Sequence, residues 1–170
     1  MRQRIDMNVL TREVHDLMAA ELRSQHVQFS FVHDAQPAWV MGDPIQLSQV
    51  LLNVYRNALQ ATAQVQARKI LVHSAVRNHQ VEVAVQDTGH GFDPDVMSHV
   101  GEAFFTTKTE GLGVGLNISR TIAQQHGGQL LFANAPEGGA QVRLILPLNA
   151  TVASTASSVE GGSGPQVPPT

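Results

Sequence analysis

Between residues 8 and 25 the apolar side chains Val9, Leu10, Val14, Leu17, Met18 and Leu22 recur at helical spacing, which predicts an amphipathic helix. Over residues 27–32 the period falls to two, with Val27, Phe29 and Phe31 alternating against Gln28, Ser30 and Val32 as on a half-buried strand. A short strand is expected over 38–41. Asp43-Pro44-Ile45-Gln46 then reads as a helix start, with Asp43 as N-cap, Pro44 at the first helical position and Gln46 placed to close a capping box. That helix is expected to run to about residue 66. Residues 69–76 and 80–87 read as strands joined by the polar turn Arg77-Asn78-His79, and residues 88–112 as a glycine-bounded irregular stretch. A further helix over 113–126 stops at Gly127-Gly128. Strands over 129–134 and 140–147 flank Glu137-Gly138-Gly139. Strands crowded into the second half, with helices between them, predict an α/β (α+β) two-layer sandwich: a mixed sheet of about five strands on about three helices.

Composition narrows this picture. A chain of 170 residues and 18.3 kDa with 42% hydrophobic residues can build one core without staples. With no cysteine it holds no disulfide framework, zinc ribbon or thiol nucleophile, and a reducing cytoplasm is the expected setting. The net charge of −3 and the lack of a basic run leave out the footprint of a nucleic-acid-binding surface, so an anionic ligand must be caught locally. No apolar run approaches the roughly 20 residues that span a bilayer, so no direct membrane contact is expected. From residue 151 the sequence TVASTASSVEGGSGPQVPPT lacks aromatics and is rich in Ser, Thr, Gly and Pro. The domain is therefore expected over 1–149, with 150–170 as a disordered tail or linker.

Three features carry chemistry. On the second helix Gln46, Gln49, Asn53, Asn57, Gln60 and Gln64 fall within an arc of roughly 80°, opposite Leu47, Leu51, Val54, Tyr55, Ala58 and Ala61. A solvated helix face is usually built from Lys and Glu, whereas Asn is a poor helix former. The stripe is either a polar face or a pair of amide oxygens, from Asn53 and Asn57, aimed at a hard cation such as Mg²⁺. On the strand over 80–87, Asp87 continues the buried row Val81, Val83, Val85, and a buried carboxylate must meet N–H donors. The exocyclic amine of adenine is one such donor; a turn at the strand end is the alternative. Finally, Gly89-His90-Gly91 and Gly111-Leu112-Gly113-Val114-Gly115-Leu116 bracket Phe104-Phe105-Thr106-Thr107-Lys108, and the second glycine set feeds a helix N-terminus suited to phosphate. The spacing fits neither the dinucleotide fingerprint nor a P-loop. The eight histidines show no metal-ligand spacing.

Taken in order, these segments resemble the ATP-binding catalytic domain of sensor histidine kinases, in the GHKL superfamily, over about residues 5–147. Residues 46–58 resemble the N box, which implies that Asn57 coordinates Mg²⁺ and that Asn53 faces the phosphates as a catalytic residue. Asp87-Thr88-Gly89-His90-Gly91 resembles the first glycine box, with Asp87 on the adenine amine and Gly89 and Gly91 beside the nucleotide. Phe104-Phe105-Thr106-Thr107-Lys108 resembles the F box of the ATP lid, implying nucleotide contacts from Thr106 and Thr107 and a catalytic role for Lys108. Residues 111–116 resemble the second glycine box, in which Gly111, Gly113, Gly115 and Leu116 cup the phosphates. Some relatives carry Lys-Tyr three and four residues after the second N-box Asn; here Gln60 and Ala61 stand there, shifting phosphate contact toward Arg56 and Lys108. The resemblance implies ATP and Mg²⁺ as cofactors. Its implied partner is a separate dimerisation hairpin bearing the acceptor histidine, with a response regulator beyond it. His15-Asp16 is the local echo of an acceptor motif, but Ala19 and Ala20 replace its polar and proline positions, so His15 is expected to be a helix-surface residue. A GHKL serine kinase of the anti-sigma-factor type, or a nucleotide-binding scaffold without transfer activity, are the competing readings.

Overall fold

The computed structural model describes residues 1–34, 36–93 and 112–149, the side chains of 112–114 excepted. The expected lid residues Thr106, Thr107, Lys108 and Gly111 and the expected tail over 150–170 lie outside the described residues. Strand β1 (Gln3–Asp6) leads directly into α1 (Met7–Ser24), followed by β2 (Gln28–His33), β3 (Trp39–Gly42) and α2 (Pro44–Ala61). The hairpin β4 (Lys69–Arg77) and β5 (Gln80–Asp87) comes next, and α3 (Leu112–Gln125), β6 (Gln129–Asn134) and β7 (Ala140–Pro147) complete the order.

A five-stranded sheet runs β2-β4-β5-β7-β6, with β2 parallel to β4 and every other pair antiparallel. The mixed sheet and its three helices are those expected, but β1 is not: it pairs antiparallel with β3, from Gln3↔Gly42 to Asp6↔Trp39, as a separate ribbon. Four residues with only Ile5 buried give no period to read. One core fills the space between the helices and the inner sheet face. Met7, Val14, Leu47, Val50, Leu51 and Tyr55 meet Ile70, Val72, Val81 and Val83, all at most 1% exposed. The Tyr55 hydroxyl donates to the Thr11 carbonyl at 3.0 Å, so α2 is tied to α1 without an orphaned polar group in the core.

Side-chain caps set the helix ends. The Asp6 carboxylate accepts from the N–H of Asn8 and that of Ala38, so it starts α1 and fixes the loop before β3. Asp43 caps α2 through Ile45 N–H at 2.9 Å and Gln46 N–H at 3.3 Å. The expected return bond from Gln46 does not close the box: the Asp43 N–H donates instead to His126 Nε2 at 3.1 Å. His126, beyond the end of α3, donates through Nδ1 to the Ile122 carbonyl at 2.8 Å, and these two partners define its tautomer.

Helix α2 stops at Ala61, short of the expected residue 66. Thr62 turns its hydroxyl back onto the Leu59 carbonyl at 2.9 Å, and Arg68 donates to the carbonyls of Ala63, Val65 and Gln25. With these carbonyls satisfied from outside, the next turn gains nothing from continuing. Gln64 therefore lies beyond the helix, and the amide stripe ends at Gln60. On α1, Val9 and Leu17 follow the helical spacing yet are 51% and 73% exposed, because the core takes only the arc of Leu10, Thr11, Val14 and Met18.

Candidate functional site

A pocket of about 220 Å³ opens between α2, the start of α3 and the ends of β5 and β7. Val54, Ala58, Val85, Val142 and Leu116 supply its apolar walls, and Asn57, Gln60 and Asp87 its polar groups. The mixture of a broad apolar surface with a few converging polar atoms is that of a small-molecule site.

Asp87 is 5% exposed at the end of β5. Its Oδ1 accepts from the Gly89 N–H at 2.9 Å and the Ala140 N–H at 3.1 Å, so the donors that burial demands come first from the backbone. Both bonds fall on one oxygen, which leaves Oδ2 to a ligand. Burial pushes the Asp87 carboxyl above its ordinary pKa, and the two N–H bonds pull part of the way back. Thr88 turns away from the pocket. Its hydroxyl donates to the Ala67 carbonyl at 2.5 Å and accepts from the Lys69 N–H at 2.9 Å, which ties the end of β5 to the start of β4. Gly89 packs against α2 so closely that a Cβ would lie 2.4 Å from the Ala61 carbonyl oxygen. Gly91 has φ +76° and lines the pocket, and a Cβ there would meet Asn134 Oδ1 at 2.7 Å. Asn134 occupies that space to clamp Phe92, accepting from its N–H at 2.6 Å and donating to its carbonyl at 2.8 Å.

The two asparagines on α2 differ. Asn57 Nδ2 is buried in the pocket wall with no hydrogen-bond partner among the described residues. An amide left unpaired at such a place is costly unless a ligand meets it, and a half-turn about its Cβ–Cγ bond presents Oδ1 instead. Asn53 sits one turn earlier, and its Nδ2 donates to the Gly115 carbonyl at 3.3 Å and to Ser119 Oγ at 3.2 Å. Arg56 is exposed on the flank of α2, outside the pocket lining. Gly113 lies in the first turn of α3. The structure thus gathers Asn57, Asp87, Gly91 and Leu116 round one pocket, with Gly89, Asn53 and Gly115 packed beside it. Ser119, Asn134 and the Ala140 amide were missed in the sequence. Ala140 carried a signal, since the row Val83, Val85, Asp87 needs a facing row on β7.

Among the described residues no three His, Cys, Asp or Glu side chains gather as a metal cage. The pocket fits Mg²⁺ in another way: this ion keeps waters and substrate phosphates as ligands and needs only one or two protein oxygens. The Asn57 amide is placed to give one.

Comparison with known proteins agrees with this geometry. Residues 42–150 match the family described as histidine kinase-, DNA gyrase B- and HSP90-like ATPase. The chain is 42% identical over 142 residues to the sensor protein FixL of Bradyrhizobium diazoefficiens, covering 83% of this chain and 28% of that protein. It is 34% identical over 149 residues to the sensor histidine kinase ZraS of Escherichia coli, covering 88% and 32%. The chain thus spans about a third or less of the length of these relatives. Among solved structures, the nucleotide-free catalytic domain of histidine kinase ThkA superimposes with a TM-score of 0.78 at 30% identity, over 87% of this chain and 98% of that one. The chain belongs to this ATPase family and has the catalytic ATP-binding domain of sensor histidine kinases.

Proposed function

We propose that this domain binds Mg-ATP and donates the γ-phosphoryl group to a histidine on a separate dimerisation hairpin, in a cytoplasmic two-component signalling kinase. The observation that carries the reading is a single pocket with Asn57 at one side, its buried Nδ2 without a partner among the described residues, and Asp87 at the other, one oxygen committed to the backbone. Asp87 Oδ2 takes the exocyclic amine of adenine, and the apolar walls take the ring faces. Asn57 turns its oxygen to the cation, which would neutralise charge on the phosphates. Lys108, Thr106 and Thr107 are assigned to the phosphates, as are the backbone amides of Gly111 and Gly113. Phosphoryl transfer asks the protein mainly for positioning and charge stabilisation, so a domain of this kind needs its nucleophile brought to it. A solved complex of ThkA with the response regulator protein TrrA supports a phosphorelay partner of that class here.

Calorimetric titration with ATP, with and without Mg²⁺, tests the pocket. Wild type is expected to bind more tightly with the cation, and Asn57→Ala to lose most of that gain while retaining Mg-free binding. An Asn57→Ala chain with the full Mg²⁺ effect would remove Asn57 from the cation site.

A further inference from the structure

Ser119 is 0% exposed, a hydroxyl in the middle of α3 at a position that helix propensity and burial would give to alanine. Its neighbours at helical spacing, Leu116, Ile122 and Ala123, are buried and apolar. What the hydroxyl meets is Asn53 Nδ2 at 3.2 Å, and the other proton of that amide goes to the Gly115 carbonyl at 3.3 Å. A carbonyl only accepts, so the Gly115 contact can hold the nitrogen end of the amide and never the oxygen end. With both N–H groups directed at α3, Oδ1 faces away from that helix and Asn53 offers a ligand an acceptor alone.

We infer that Ser119 is a positioning residue for the nucleotide site, holding the Asn53 amide against α3 in the orientation that the Gly115 carbonyl selects, so that its oxygen end is presented to the ligand. The inference rests on the nucleotide reading above and refines the expectation that Asn53 faces the phosphates. An acceptor oxygen repels phosphate oxygens, so Asn53 does not hold phosphate directly; it accepts from a proton-bearing or cationic group, of which a water in the cation's hydration shell is the nearest fit. The two asparagines one turn apart then divide the work, Asn57 binding the ion and Asn53 orienting what surrounds it.

Two readouts test this on the whole chain. In ¹⁵N-labelled protein the Asn53 side-chain amide, assigned by its loss in Asn53→Asp, is expected to exchange slowly with water. Ser119→Ala should speed exchange of one of its protons, Ser119→Thr should restore protection, and Ser119→Val, of the same shape without the hydroxyl, should not. In calorimetry the gain in ATP affinity on adding Mg²⁺ should fall by about threefold to tenfold in Ser119→Ala and Ser119→Val and recover in Ser119→Thr. An amide insensitive to all three variants, or a threonine that behaves like valine, overturns the inference. The two readings also fail separately. A serine-dependent amide in a chain that gains no affinity from Mg²⁺ supports the contact and refutes the nucleotide reading. Mg²⁺-dependent binding indifferent to Ser119→Ala refutes the positioning role alone.

Discussion

Because the N–H groups of Gly89 and Ala140 both land on Asp87 Oδ1, Asp87→Asn keeps the two bonds with its own Oδ1 and puts an NH₂ where Oδ2 stood. The substitution leaves the strand ends intact but faces the base with a donor, which repels the amine of adenine and suits the carbonyl of guanine. Calorimetry with ATP and GTP should therefore show the adenine preference lost; an unchanged preference would take Asp87 out of the base site. The same carboxylate predicts a pH effect. Its pKa is raised on folding, so the native state holds the proton more tightly than the unfolded chain. Stability from this group is full below the ordinary aspartate pKa of about 3.9 and is lost as pH rises through the higher folded value. Urea unfolding over that range should show the decline in wild type and not in Asp87→Asn. Asp87 was legible in the sequence because it prolongs a strict alternation. Ser119 was not, since its partner lies on another helix and periodicity says which residues are inside, never which of them meet.

The α2 helix shows the same division between local and distant information. Its start at Asp43-Pro44 and its buried residues followed from local sequence, but its end did not, because Arg68 satisfies carbonyls around Ala63 and at Gln25 from outside the helix. The capping box failed for a related reason: a histidine 83 positions away took the N–H that Gln46 was expected to hold. His126→Phe keeps much of the ring's volume but leaves the Asp43 N–H without its acceptor, and should cost about 1–3 kcal/mol in chemical denaturation. Asp43→Ala should cost about 0.5–2 kcal/mol. The double variant should fall short of the sum, since both changes loosen the same turn. Equal loss on adding the two would mean that the histidine contact does not support the cap. The ribbon strand β1 was invisible for want of length: four residues that pair with β3 and bury one side chain make no pattern.

At the scale of the whole molecule, Mg-ATP should behave as part of the fold. Saturation at a hundred times the dissociation constant adds about 2.7 kcal/mol, or roughly 5–11 °C in thermal midpoint for a domain of this size, whereas Mg-GTP should add far less. Transfer is a different matter. His15 is half-buried on α1, its ring centroid 4.7 Å from that of Phe29 and 5.4 Å from that of Phe31, more enclosed than a helix-surface acceptor. Incubated with labelled ATP, the chain alone should take up almost no acid-labile phosphate, and a matching hairpin supplied in trans should become labelled. Strong labelling of the chain alone, abolished by His15→Ala, would place the acceptor within it. The helix pair behind the pocket sets how such a domain can move. Asp43 meets His126, and Asn53 meets Gly115 and Ser119, so α2 and α3 run antiparallel and are pinned at two heights. Two pins forbid sliding: a shift of one turn would break both. What remains is a small splaying about Ser119, widest at the first turn of α3, on the side where Asn57 Nδ2 has no partner among the described residues. Amide hydrogens ahead of Ser119 should therefore exchange faster than those behind it, and a ligand that bridges Asn57 to that first turn would act as the third pin.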